Sequence, residues 1–223
     1  MRIIWHGHSC FEIKDTVTVV TDPHDGKSIG IKTPLVKADI VLVTHDHFDH
    51  NCVRIVRGDP SVIRDPGERS LRGVQINGVS TFHDLESGAR RGRNIVYHFE
   101  LDGIRFCHCG DLGHDLTEEQ VCAIGPVDVL FVLVGGVFTI DGAQARALVS
   151  KLRPRVAIPM HFRWGGLSIS VHTIDPYLQG IRPGLDQVHC GLPRGDVPGD
   201  DLDVVLLADG LHRVDHVLAV AVG

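Results

Sequence analysis

An apolar run that ends in a cluster of ionisable residues, "VLVTHDHFDHN" at positions 41–51, constrains this chain more than any other stretch. Its apolar part has the length of a strand and is typical of a strand that is covered on both faces. His45, His47, Asp49 and His50 follow within six residues. Because such groups are costly to desolvate without a strong partner, either water or a cation must solvate this turn.

Potential metal ligands also follow three later predicted strands. His83 ends the run "VQINGVSTFH", Asp111 follows "GIRFCHCG", and His161 ends "RVAIPMH". In α/β proteins, ligands bind beyond the carboxyl ends of strands, so these residues can meet the 45–50 turn at one edge. Five imidazoles and two carboxylates brought together in this way predict a metal site.

The remaining pattern predicts an α/β fold. Residues 2–21 alternate as in an antiparallel meander, and Asp102 with Gly103 is a strong signal for a hairpin turn. Strands and helices then alternate, with helices that begin at Thr117 and Asp141. The C-terminal part predicts a short helix over 174–180, a Gly- and Pro-rich loop over 181–199, and β-like runs over 201–209 and 211–222. Without a polar linker or a repeat, residues 1–223 are expected to form a single domain.

Composition narrows the class of protein. The 22 basic against 28 acidic residues give a net charge of -6, which disfavours nucleic acid as a general partner. Six scattered cysteines without a C-x-x-C pair indicate reduced thiols, as in a cytoplasmic protein. No apolar stretch approaches the roughly 20 residues that span a bilayer, so we expect no membrane partner. A homo-oligomer is compatible with the sequence.

The motif "THDHFDH" resembles the H-x-H-x-D-H signature of the metallo-β-lactamase fold superfamily. After this motif come a histidine in "STFHD", an aspartate in "HCGDLGH" and a histidine in "IPMHF", in an order similar to that of the superfamily. The resemblance covers about residues 1–165. The segments "WHGHSCFEI", "TDP" and "VGG" resemble more narrowly the branch that contains ascorbate-6-phosphate lactonase and many uncharacterised metal-dependent hydrolases. The resemblance implies a four-layer αββα sandwich of two mixed β-sheets flanked by helices.

The resemblance also implies two divalent metal ions, with zinc favoured, manganese as an alternative and iron less favoured. One ion would be held by His45, His47 and His83, and the other by Asp49, His50 and His161. Asp111 would bridge the two ions and orient a shared hydroxide, and Asp49 would be the second catalytic carboxylate. A water between two such ions has its pKa lowered to about 7, so it can attack a carbonyl or phosphoryl centre as hydroxide.

Four more residues are candidates for supporting or substrate-binding roles. His8, in the "GHS" of the opening motif, is expected either to donate a hydrogen bond beside the metals or to pack there. Asp84 and His114 are expected to orient the ligand imidazoles, with ordinary turn capping as the alternative. Arg163, like the basic loop at 88–94, is a candidate for binding an anionic group on the substrate, although such charges are more often only solvated.

These residues predict a metal-dependent hydrolase of a small substrate, and the resemblance implies that this could be a lactone or a phosphorylated sugar acid. Two alternatives stay open, namely an iron-dependent oxidoreductase of the same fold and a non-catalytic metal-binding protein. Flavodiiron members of the superfamily carry a carboxylate where this chain has His47, which favours hydrolysis. A nuclease is disfavoured by the acidic charge balance and the absence of a basic stripe.

Overall fold

The computed structural model describes residues 1–179, 187–188, 203–205 and 219–221 of the chain. These residues form fourteen strands, three α-helices and two 3-10 turns. The strands are β1 (Arg2–Trp5), β2 (Phe11–Lys14), β3 (Thr18–Thr21), β4 (Ile40–Leu42), β5 (Ser61–Ile63), β6 (Gly67–Leu71), β7 (Val74–Phe82), β8 (Arg93–Leu101), β9 (Ile104–His108), β10 (Val129–Leu133), β11 (Val156–Met160), β12 (Gln187–Val188), β13 (Asp203–Val205) and β14 (Ala219–Ala221). The helices are α1 (Glu118–Ile124), α2 (Gly142–Leu152) and α3 (Asp175–Leu178), and the 3-10 turns are Lys27–Ile29 and Val53–Ile55.

The strands form two mixed sheets. The six-stranded sheet has the order β13-β1-β2-β3-β4-β5, and the eight-stranded sheet has the order β12-β14-β11-β10-β9-β8-β7-β6. In the first sheet β1, β2 and β3 are antiparallel, whereas β3, β4 and β5 are parallel. In the second, β9, β10 and β11 are parallel and the remaining pairs are antiparallel. The predicted fold class, an α/β sandwich of two mixed sheets, is confirmed.

Local sequence signals explain several of these elements. The turn between β8 and β9 places Asp102 and Gly103 at φ 51° and 74°, as a two-residue hairpin of the predicted kind requires. Thr117 begins α1 and Asp141 begins α2, and each forms a reciprocal capping box with a glutamine three residues later. The predicted starts of both helices are therefore confirmed.

The two sheets share an aromatic core. Phe11 of β2 lies 4.2 Å, centroid to centroid, from Phe131 of β10, which stacks in turn with Phe106 of β9. The helix α2 covers the other face of the larger sheet through Ala145 and Leu148. Among the described residues, loops and the second 3-10 turn cover the outer face of the smaller sheet, where Val20, Val36, Val41, Val43 and Val56 cluster with Cys10 and Ala38.

The sequence pattern did not reveal two short strands. Residues 67–71 make the edge strand β6, whose mostly exposed side chains give no hydrophobic signal because only β7 pairs with it among the described residues. The short strand β12 lies in the predicted loop 181–199, and the rest of that loop lies outside the described residues. Strands β13 and β14 fall within the predicted β-like runs, whose other residues also lie outside. No helix in the described part of the chain is long and apolar enough to cross a membrane.

Candidate metal centre

The predicted ligands lie at the same edge of the sandwich because each follows the end of a strand. The 45–50 loop follows β4 after Val43 and Thr44, and His83 comes directly after β7. Asp111 follows β9 by three residues, and His161 comes directly after β11. The structure therefore brings all seven predicted ligands together, although they come from both sheets.

The first group of ligands consists of three imidazoles. One ring nitrogen from each of His45, His47 and His83 lies within 4.8 Å of the other two. His45 Nε2 is 3.1 Å from His47 Nδ1. These are the same three residues that the family resemblance implies for the first ion.

The second group contains the three expected residues and one more. Ligand atoms of Asp49, His50, His161 and His8 all lie within 4.8 Å of one another, and all four residues are buried. His50 Nε2 is 3.5 Å from Asp49 Oδ2. His8 Nε2 is closer still, at 3.0 Å from the same carboxylate oxygen and 3.2 Å from His50 Nε2.

Asp111 stands between the two groups. Its Oδ2 lies 3.2 Å from His83 Nε2 of the first group and 3.2 Å from His161 Nε2 of the second. The other oxygen, Oδ1, lies 3.4 Å from His50 Nε2 but accepts no hydrogen bond, although it is buried. One carboxylate thus contacts both groups, as a bridging ligand would.

The donor set fits metal ions. Ligand atoms held at 2.0–2.2 Å around a tetrahedral ion lie about 3.3 Å apart. The separations quoted above, from 3.0 to 3.5 Å, are close to this value. Two of them join one imidazole nitrogen to another, and only one nitrogen of such a pair can supply a hydrogen. A cation between them satisfies both lone pairs, and it also satisfies the unpartnered Asp111 oxygen.

For His8, His45 and Asp111 the electrostatics favour the protonation states that metal ligation needs. Burial lowers the pKa of His8 and of His45 to about 3, so both imidazoles are neutral. Burial opposes ionisation of Asp111, but His161 and His50 outweigh it and lower the pKa of that carboxyl well below its usual range. His50 differs, because Asp111, Asp49 and Asp22 overcome the effect of burial and raise its pKa. The protein therefore favours positive charge at this position.

A buried aspartate that the sequence analysis missed orients two of the imidazoles. Asp22, directly after β3, accepts a hydrogen bond from His50 Nδ1 at 2.9 Å and from the Thr44 hydroxyl at 2.7 Å. That hydroxyl also lies 2.9 Å from His45 Nδ1, which can donate to it. Both rings are thus held through Nδ1, which leaves Nε2 directed toward the cluster. The only signal in the sequence was the "TDP" segment.

Asn94 supports Asp111 and was also missed. Its Oδ1 accepts the backbone N–H of Asp111 at 2.9 Å, while its Nδ2 donates to Thr81 Oγ1 and to the backbone oxygen of Cys109. Asn94 is buried, so it fixes the loop between β9 and Asp111 from the interior of the protein. A single polar residue in a β-rich run is too weak a signal to reveal this role.

Backbone strain is concentrated in the same region. His8, Asp22 and His161 adopt φ angles of 54°, 39° and 55°, a left-handed conformation that non-glycine residues rarely take. Gly135 packs so closely against the carbonyl of His161 that a Cβ at this position would overlap it. Such strain persists only where the surrounding structure enforces it, and it often accompanies functional sites.

The other candidate residues lie around the cluster. Asp84 caps its own loop by accepting four backbone N–H groups, from Glu86, Gly88, Arg90 and Arg91, so the structure gives it the turn-capping alternative. His114 Nε2 accepts the backbone N–H of Phe82, the residue before His83. Arg163 donates through Nε to the backbone oxygen of Val171.

Comparison with known proteins decides the family. A family model described as the beta-lactamase superfamily domain matches residues 2–161, well over half of the chain. The chain belongs to the metallo-β-lactamase superfamily. A metallo-β-lactamase superfamily protein from Thermotoga maritima has a solved structure with a TM-score of 0.71 and 38% identity, covering 92% of this chain and 96% of that one.

Sequence relatives agree with this membership of the metallo-β-lactamase superfamily. A protein from Nitratidesulfovibrio vulgaris named UPF0173 metal-dependent hydrolase is 33% identical, over 74% of this chain and 80% of its own length. A relative of the same name from Thermoplasma acidophilum is 27% identical, over 73% of this chain and 83% of its own length.

Proposed function

We propose that this protein is a dinuclear metal-dependent hydrolase that acts on a small anionic substrate. The observation that carries the proposal is the position of Asp111, whose carboxylate contacts both groups of candidate ligands. The names of the relatives from Nitratidesulfovibrio vulgaris and Thermoplasma acidophilum support hydrolysis. Zinc is the first candidate metal, since five of the seven predicted ligands are imidazoles, and manganese is the second.

The residues of the chain have distinct tasks in this proposal. Two divalent ions, when bound, would acidify a shared water molecule and polarise an oxygen of the substrate. Asp22 holds His50 directly and His45 through Thr44, so both rings present Nε2 without reorganisation. Asn94 fixes the backbone of Asp111. Preorganised groups of this kind lower the cost of reaching the transition state, because they need not move during the reaction.

A cavity of about 450 Å³ opens beside His45 of the cluster, and we propose it as the substrate side; its lining includes Val43, His45, Asp46 and Arg64. This volume is suited to a small molecule. Among the described lining residues Arg64 carries a positive charge, and its guanidinium, 4.0 Å from the exposed Asp46 carboxylate, can bind a carboxylate or a phosphate of the substrate. We therefore propose Arg64, in place of Arg163, as the anion-binding residue. A lactone or a phosphorylated sugar acid would fit this arrangement, as in the lactonase-containing branch that the sequence resembles.

The same features weigh against the two alternatives. A non-catalytic metal protein needs no access to the ions, yet a cavity opens beside His45 and the His47 imidazole is only half-buried. An oxygen-activating diiron protein is disfavoured by the imidazole at position 47. A single domain in the cytoplasm remains our expectation for the chain.

Metal analysis combined with substrate screening tests the proposal. The protein loaded with Zn²⁺ or Mn²⁺ is incubated with lactones, phosphomonoesters, phosphodiesters and amides. We expect metal-dependent turnover of one class, lost in Asp111→Asn and retained in Asp115→Asn, which changes an exposed carboxylate four residues away. The absence of turnover, or iron with metal-dependent oxygen consumption, would overturn the hydrolase proposal.

A further inference from the structure

The second group of ligands contains one imidazole more than the family signature supplies. His8 comes from the turn between β1 and β2, far from the H-x-H-x-D-H loop in sequence. We propose that His8 is a direct metal ligand, which binds the second ion through Nε2 together with Asp49, His50 and His161. This inference rests on the proposed metal centre and adds a residue to it.

The position of the His8 ring is the first argument. Its Nε2 is 3.0 Å from Asp49 Oδ2 and 3.2 Å from His50 Nε2, within the range of separations among the predicted ligands themselves. The His8 ring is 4.3 Å from that of His161, centroid to centroid. Like the predicted ligands His83 and His161, His8 directs Nε2 into the cluster and buries Nδ1 without a partner.

The turn that carries His8 is held unusually firmly. His24 Nε2 lies 3.2 Å from the backbone oxygen of His6 and 3.3 Å from that of Gly7, and His108 Nε2 lies 3.0 Å from that of Ser9. The oxygen of His8 itself accepts hydrogen bonds from Trp5 Nε1 and from the backbone N–H of His161. These contacts hold His8 in its left-handed conformation and fix the direction of its side chain.

The alternative role is a hydrogen bond from His8 to Asp49, which would only position that carboxylate. In this case the Nε2 hydrogen would point at Asp49 Oδ2 and His50 Nε2, the lone pairs that the second ion needs. A ligand role avoids this competition, because the ion and the His8 hydrogen cannot occupy the same space. The geometry therefore favours His8 as a ligand when metal is bound.

Two substitutions separate these roles. Glutamine at position 8 can place its Nε2 amide near the imidazole Nε2 and donate to Asp49, whereas its amide nitrogen cannot bind a metal ion and its amide oxygen is a much weaker zinc ligand than imidazole. If His8 is a ligand, His8→Gln and His8→Ala should both lower the affinity for the second zinc ion by more than about 100-fold, beyond the usual effect of losing a supporting hydrogen bond. The first ion should remain bound. Competition titration with a chromophoric chelator measures both affinities.

His6→Ala is the matched control. His6 belongs to the same turn but pairs with Glu12 at 3.0 Å and does not enter the cluster. The His6→Ala variant should keep both zinc affinities within about twofold of wild type, because no candidate ligand loses a contact. If His8→Gln retains wild-type affinity while His8→Ala does not, His8 is a positioning residue and the inference is overturned.

A crystal structure of the zinc-loaded wild-type protein tests the inference independently of any variant. In an anomalous difference map we expect two ions, with His8 Nε2 at about 2.0–2.1 Å from the second. Two ions that both lie more than about 3 Å from His8 Nε2 would overturn this inference and leave the proposed hydrolase intact. A wild-type protein that binds no ion in either experiment would overturn both.

Discussion

Replacement of Asp22 by asparagine tests how the protein presents its ligands. The Asp22 carboxylate accepts three hydrogen bonds, two from Thr44 and one from His50 Nδ1. An asparagine has a single oxygen, which the backbone N–H of Thr44 requires, so its amide nitrogen must face His50. Because that nitrogen is a donor, His50 Nδ1 must become an acceptor. The ring proton then moves to Nε2, where it blocks the position that a metal ion needs.

The expected size of the effect follows from the hydrogen bond that is lost. A bond to a charged group contributes about 1.5–3 kcal/mol, which corresponds to about 10- to 150-fold in affinity. This range agrees with the 10- to 100-fold losses typical when a residue that supports a metal ligand is changed. Asp22→Asn should therefore lower the affinity for the ion bound by His50 by one to two orders of magnitude.

Isothermal titration of the metal-free protein with Zn²⁺ measures this loss, and thermal unfolding of the same samples checks that the variant folds. Asp25→Asn is the control, because this nearby carboxylate bonds only Ser28 and Arg54 within the described structure. A folded Asp22→Asn protein with zinc affinity within threefold of wild type would refute the tautomer argument.

Three further predictions concern stability and substrate binding. Removal of metal with EDTA should lower the unfolding midpoint by about 5–11 °C in calorimetry, since an ion at 100 times its Kd adds about 2.7 kcal/mol to the free energy of unfolding. Equal midpoints with and without EDTA would exclude a tightly bound ion. In steady-state kinetics Arg64→Ala should raise KM for the anionic substrate with kcat nearly unchanged, whereas Arg163→Ala should change neither, and the reverse result would place the anion site at Arg163. Asp128→Asn should cost about 1 kcal/mol at pH 7, because Asp128 loses its two-point contact with Arg105. Despite partial burial, Arg105 lowers the pKa of Asp128. The stabilisation is therefore complete above the unfolded-state pKa of about 3.9 and disappears as pH falls through the lower folded-state pKa. A difference in urea-unfolding free energy between wild type and Asp128→Asn that persists at low pH would contradict the assignment.

The sequence predicts the elements whose signals are local. Residues 102 and 103 specify their hairpin turn through backbone conformation, and Thr117 and Asp141 specify helix starts through capping. The convergence of the candidate ligands was also predictable, because each follows the end of a strand. Such signals depend on neighbours in the sequence, and the surrounding fold does not change them.

The rest depends on contacts between distant residues. Asp22 meets His50 only because β3 and β4 are adjacent and parallel, and Asn94 meets Asp111 only through the register of β8 and β9. The role of Asp84 depends on the direction of its side chain, which turns back to its own loop. Strand β6 was missed because an exposed edge strand needs few apolar residues.

The contact between the His8 and His161 rings has a consequence for how the protein matures. These two residues come from opposite ends of the segment that matches the family. His8 lies in a turn of the six-stranded sheet, whereas His161 follows a strand of the eight-stranded sheet. During synthesis the earlier imidazoles emerge long before β11 can pair with β10. In the proposed site, full occupancy must wait for that pairing, so time-resolved zinc uptake would report the moment at which β11 joins the larger sheet of a newly made chain.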